Sequence, residues 1–159
     1  MIFVVASGCK KKAPPAPSVQ SILPTKAQQK LQTMKLWLGA EEMVTELALT
    51  GRQMETGMMF RTNMPENEAM LFVQPQTGPA GYWMKNCPLP LSIAYISPDG
   101  VIQEIHDLHP HDTNPVASAS ANIRFALETP QGWFARHNIS TGTVVRTEHG
   151  PLADVFLRR

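Results

Sequence analysis

A chain of 159 residues, 43% of them apolar, has room for one domain with a real core and hardly for two. Its formal charge of +1 is unevenly spread: residues 1–35 hold six lysines and no acid, while the other 124 residues carry 8 basic and 13 acidic side chains, a net of −5. A domain of that sign has no general attraction for phosphate backbones, which argues against nucleic-acid binding, and the basic excess sits in the N-terminal stretch, where it suits an anionic membrane surface.

The first residues, MIFVVASGCKKK, read as the end of an apolar signal segment running into Ala6-Ser7-Gly8-Cys9. Small residues before a cysteine match a bacterial lipobox. Residues 1–9 are therefore expected to end a lipoprotein-type signal peptide. Cys9 is expected to carry lipid and to anchor the protein in a membrane of the cell envelope, facing the extracytoplasmic side. Ala6 stands where Leu is usual and no charged region precedes it, which suggests a true start upstream. With Cys9 lipidated, Cys87 has no partner for an intramolecular disulfide and is expected as a small buried apolar residue. Residues 10–34 place Pro14, Pro15, Pro17 and Pro24 among Lys, Gln, Ser and Ala, the composition of a disordered tether.

Residues 35–157 are expected to form a single β-rich domain. Lys35–Leu38 and Met43–Leu49 read as strands, and Thr50-Gly-Arg-Gln53 is a capping box opening a helix to about Met58. Ala69–Val73 is a strand, and Gln74–Gly81 a Pro/Gly-rich loop. Tyr82–Asn86 and Leu91–Ile96 are strands interrupted by Pro88 and Pro90. Pro98-Asp-Gly100 turns into a strand over Val101–Leu108, and another follows at Ile123–Glu128. Thr129 and Pro130 supply an N-cap and first-turn proline for a short helix, and strands over Thr143–Arg146 and Asp154–Leu157 close the sheet. The sum is a mainly β, α+β domain with two short helices: a small antiparallel β-sandwich or partly closed barrel.

Glu46-Leu-Ala-x-Thr50, Gly57-Met-Met-Phe-Arg61, Met70-Leu-Phe72, Trp83-Met-Lys-Asn86, Pro90-Leu-Ser92 and Ala126-Leu-Glu128 follow one another in the chain. In this order they resemble the domain-of-unknown-function 192 family. The resemblance covers roughly Lys35 to Val155, implies a compact β-rich fold and supplies no substrate. The chain departs from the family pattern at Met58 for Leu, Ala69 for Gly, Cys87 for Thr and Ser92 for Asp.

Lysine and asparagine in the middle of YWMKNCPLPLSIAYI raise the question of a site. On a strand, Trp83, Lys85 and Cys87 share one face. Arg61 ends the block after the first helix and Glu128 ends the strand before the second. Arg61, Trp83, Lys85, Asn86 and Glu128 therefore form a candidate cluster. It is either a structural latch, Lys85–Glu128 or Arg61–Glu128, or a site for a small polar or anionic ligand with Trp83 as stacking floor. Asn86 is expected to fix the loop backbone near Pro88. The His106-x-x-His109-x-His111 run, with Asp107 and Asp112, is expected to be a solvated loop, and no metal or cofactor is assigned. Met54, Met58, Met59, Met64, Met70 and Met84 are expected as core filler, copper handling being the alternative for an envelope protein. No nucleophile–base pair is recognisable and the catalytic residues are unknown. The sequence thus points to a non-enzymatic small-ligand-binding or assembly module. The alternative is a hydrolytic enzyme with Glu128 as acid/base and Lys85 and Arg61 as stabilising charges.

Overall fold

Thr33–Leu38 (β1) and Glu41–Ala48 (β2) form an antiparallel hairpin, Leu38 standing opposite Glu41. Gly39, at φ +61°, provides the left-handed residue that so short a connection requires. The computed structural model describes residues 23–158. The expected signal peptide, Cys9 and the first half of the expected tether lie outside the described residues. The tether's expected end at residue 34 falls inside β1, and the residues just before it are held. The Gln28 side-chain amide donates to the carbonyls of Gln53 at 3.1 Å and Gly57 at 3.0 Å, and Leu47 N–H donates to Gln32 O at 2.9 Å.

After β2, Thr50 caps Gly51–Thr56 (α1) with the expected box: its hydroxyl accepts from Gln53 N–H, and the Gln53 side chain accepts from Thr50 N–H. The chain then returns as Glu68–Gly78 (β3), parallel to β2. Next come Gly81–Tyr82 (β4), Leu91–Ile96 (β5), Ile102–Leu108 (β6), Val116–Ala117 (β7) and Ile123–Pro130 (β8). Trp133–Arg136 (α2), Val145–Thr147 (β9), Gly150–Pro151 (β10) and Leu152–Phe156 (α3) complete the described residues. Eight strands lie in one mixed sheet, ordered β10-β9-β1-β2-β3-β8-β5-β6, and β4 pairs with β7 alone. The domain is mainly β with short helices. The sheet is not a closed barrel, but it curls until Val101, just before β6, bridges Val144, just before β9.

Alternation sorts the side chains of the central strands into two cores. Leu71 of β3, Ala94 and Ile96 of β5, and Phe125 and Leu127 of β8 enter one, which is closed by Trp133 and Phe134 of α2 and Leu152 of α3. Met70 and Phe72, Ile93 and Tyr95, and Ala126 enter the other, covered by Met58, Met84 and Cys87 from connecting segments. Because both faces of β5 are covered, all six of its residues are buried, and the strand reads in sequence as an apolar run broken only by Ser92.

Several expected elements differ. Residues 74–78 extend β3 past a register shift instead of forming a loop. The strand expected over Tyr82–Asn86 stops at Tyr82, because residues 83–87 bond into turns and neighbouring loops: Met84 N–H to Asp112 O, Cys87 N–H to Met84 O. Thr129 and Pro130 remain in β8, paired with Ser92 and Leu91, and α2 begins only after Gly132 at φ +74°. The last expected strand is the helix α3, launched by Pro151 at its N-terminus.

Candidate functional site

Glu128 stands on β8 between Met70 of β3 and Ile93 of β5, all three strands being central. By alternation with Leu127 its side chain enters the second core, and it is only 4% exposed. Above it lies the segment that follows α1. Gly57, at φ +43°, turns the chain there, its N–H closing the helix on Gln53 O at 2.8 Å. A Cβ at this position would stand 3.3 Å from the Phe72 ring, so the glycine permits both the turn and the close approach that sets Met58 over the sheet.

The second wall is the loop after β4. Asn86 adopts φ +58°, a conformation asparagine tolerates better than most residues, and its carbonyl accepts from Phe60 N–H at 2.7 Å. That bond joins the two walls. Tyr82 packs edge-on to Phe72, ring centroids 4.9 Å apart, and reaches towards Tyr95.

Between the walls lies a hollow of about 30 Å³, open to solvent on one side. Such a space holds one or two waters. Glu128 forms its floor, Met58, Phe72 and Met84 its sides, and Trp83 and Lys85 its rim. Trp83 is 40% exposed, and Lys85 Nζ lies 5.3 Å from the centre of its ring, a cation–π distance.

Burial dominates the electrostatics. Among the described residues Glu128 Oε2 has no hydrogen-bond partner, and desolvation pushes the carboxyl up to about 8. Glu128 is therefore a protonated acid at neutral pH. Burial also raises the phenol of Tyr82 and lifts the thiol of Cys87 to about 11, each with a smaller contribution from the charge Glu128 would carry.

The five expected cluster residues separate into two groups. Trp83, Lys85 and Glu128 meet around the hollow. Arg61 does not join them: its guanidinium forks onto Glu46 of β2, Nη1 to Oε1 at 2.6 Å and Nη2 to Oε2 at 2.8 Å. Among the described residues neither Lys85 nor Glu128 enters an ion pair, so the expected latch through Glu128 is absent and the latch that exists is Arg61–Glu46. The physical reason is one of sides. Glu46 lies beside the chain leaving α1, whereas Glu128 is two strands away across the sheet. Asn86 acts through its backbone, as described.

Two departures from the family pattern, Met58 and Cys87, line the hollow, while Ser92 points into the opposite core. There the Ser92 hydroxyl donates to Asp107 at 2.6 Å and accepts from Gly132 N–H at 2.8 Å. The histidines do not converge. His106 bonds to Glu104 at 3.0 Å, His111 turns the loop at φ +62°, and no group of three His, Cys, Asp or Glu side chains assembles among the described residues.

The match to the domain-of-unknown-function 192 family model, described as uncharacterized ACR, spans residues 34–147. The chain belongs to that family. Two solved structures share the fold. One, from Sinorhizobium meliloti 1021, is described as a proposed transcription regulator; it is 29% identical, with a TM-score of 0.72 over 76% of this chain and 98% of that one. The other, a protein of unknown function from Novosphingobium aromaticivorans DSM 12444, is 28% identical, with a TM-score of 0.69 over 88% and 99% of the two chains. Comparison with curated proteins finds no match.

Proposed function

We propose that the domain is a non-enzymatic binding module, tethered to the cell envelope, that takes a small ligand into the Glu128 hollow. The observation that supports this is Glu128 itself. A buried carboxyl oxygen without a partner costs stability, and binding sites commonly hold such groups for a ligand to complete. Trp83 adds an exposed aromatic surface at the rim. The expected polar or anionic ligand relied on two cations; with Arg61 neutralised by Glu46, selection falls to the floor and walls. The regulatory role named for the Sinorhizobium protein is not carried over, because the residues beyond the lysine-rich stretch have a net charge of −5.

One observation favours hydrolysis as a second reading: a carboxyl titrating near 8 suits acid/base work at neutral pH. Against it, Arg61 is absent from the hollow and the Cys87 thiol is held un-ionised by burial.

Lys85→Met should change stability by no more than about 0.5 kcal/mol, since no carboxylate depends on it. A thermal-shift screen of sugars, carboxylates, peptides and metal ions should find a compound that raises the melting temperature of wild type and raises that of Glu128→Gln less. A screen in which every shift is equal in the two proteins rejects the pocket, and activity on ester, amide or glycoside panels that disappears in Glu128→Gln selects the enzyme.

The tether is tested separately. Expressed with a complete leader, the protein should incorporate labelled fatty acid and partition into detergent, and Cys9→Ser should abolish both. A wild-type protein that stays soluble with an unmodified Cys9 sinks the envelope assignment.

A further inference from the structure

We infer that the ligand of the Glu128 hollow is copper(I), held by the thioethers of Met54, Met58 and Met84 with the Glu128 carboxylate as its counter-charge. This rests on reading the hollow as a binding site and names what it binds.

Size is the first argument. A hollow of about 30 Å³ accepts a single ion as it stands, whereas a sugar or peptide group must part the walls.

Donor chemistry is the second. Met58, Met84 and Cys87 belong to the core cluster under the hollow, Met54 packs against that cluster, and all four line the hollow with Glu128. Met59 lines the space as well, so that five sulfur-bearing residues and the carboxyls of Glu55 and Glu128 surround it, a predominantly soft donor set. Thioethers and thiols select copper(I), whereas magnesium and calcium require a shell of roughly six or more oxygens. Of the two carboxyls that line the hollow, Glu55 is already paired with Arg52 at 3.2 Å. Methionine packs irregular gaps in many cores, but a gap filled only for packing has no need of a carboxyl with an unpartnered oxygen at its floor.

Charge is the third. A monovalent ion is matched by the single negative charge of the Glu128 carboxylate, any proton on that carboxyl leaving to solvent, with no change of oxidation state. The buried site stays neutral, whereas a divalent ion leaves an uncompensated buried charge. Lys85 remains at the rim over Trp83.

The test uses the full chain carrying Cys9→Ser, so that Cys87 is the remaining thiol. Titrated anaerobically with copper(I) against the chromophoric chelator bathocuproine disulfonate, it should retain one equivalent. Met58→Leu with Met84→Leu should weaken retention by at least about tenfold, and Glu128→Gln should weaken it by a similar factor. Leucine matches methionine in volume, so the double variant should fold. If it does not, methionine-methyl NMR of the parent decides: copper(I) should shift the signals of Met54, Met58 and Met84 and leave Met43, in the opposite core, unmoved. No retention, or retention indifferent to the hollow's methionines, overturns the copper assignment. The pocket itself stands in that case if an organic compound still protects wild type more than Glu128→Gln, and falls if none does.

Discussion

Between about pH 5 and pH 8 the wild-type domain should lose about 1.4 kcal/mol of stability per pH unit, and Glu128→Gln should not. In the unfolded chain Glu128 releases its proton near its ordinary value of 4.5; in the folded domain it keeps the proton up to about 8. Within that window the native state binds more protons than the unfolded state, so stability falls as pH rises. The contribution is fully present below 4.5 and lost above about 8. Glu66, Glu104 and Asp112 are held below their ordinary values and act in the opposite sense, their contribution being lost as pH falls below this window. Denaturant midpoints from pH 5 to 9 on both proteins provide the measurement, and the difference between the profiles isolates Glu128 from every other titrating group. Two superimposable profiles would mean that the carboxyl is solvated, and with it the floor of the hollow. Glu128→Leu should be at least as stable as wild type at neutral pH, because it removes the unpartnered oxygen, and should lose the proposed ligand.

Arg61→Met should cost about 3–5 kcal/mol, the range for a buried carboxylate stripped of its partner. The Glu46 and Arg61 side chains are only 6% and 16% exposed, the pair is bidentate, and Glu46 Oε2 also accepts Leu31 N–H at 2.7 Å. Combining Arg61→Met with Glu46→Gln should recover much of the loss, since the charges leave together and an acceptor for Leu31 remains. A single-variant cost below about 1 kcal/mol, the range of exposed ion pairs, would show that water already screens this one.

Central strands, with partners on both sides, were among those legible in the sequence, and so was the edge strand β6. β5 and β8 read as apolar runs because two cores cover them, and α1 was legible in Thr50 and Gln53 because a capping box is a local device. The chain from Trp83 to Pro90 misled for the opposite reason: its backbone bonds go to Phe60, His111 and Asp112, remote in sequence. Position 34 looked like tether because composition cannot register that β9 and β2 flank β1. Of the site, Glu128, Lys85 and Trp83 stood out as polar or aromatic residues at element ends. Glu46 did not, although a carboxylate in the buried run from Thr45 to Ala48 is the signal that could have paired it with Arg61. The methionines expected as core filler do pack in or against the second core, as Met54, Met58, Met64, Met70 and Met84 show, although spacing does not reveal that residues 54, 58 and 84 share one hollow with Glu128.

The strap from Gln28 to Gln32 has a mechanical consequence. Its two side-chain hydrogen bonds end on Gln53 and Gly57, where α1 gives way to one wall of the hollow, while the floor is welded into three central strands. Tension applied through the N-terminal chain therefore loads the wall before the floor. Were that chain the membrane tether proposed above, the proposed site would sit at the end of its own leash, and a pull on the leash would work as a handle on the door.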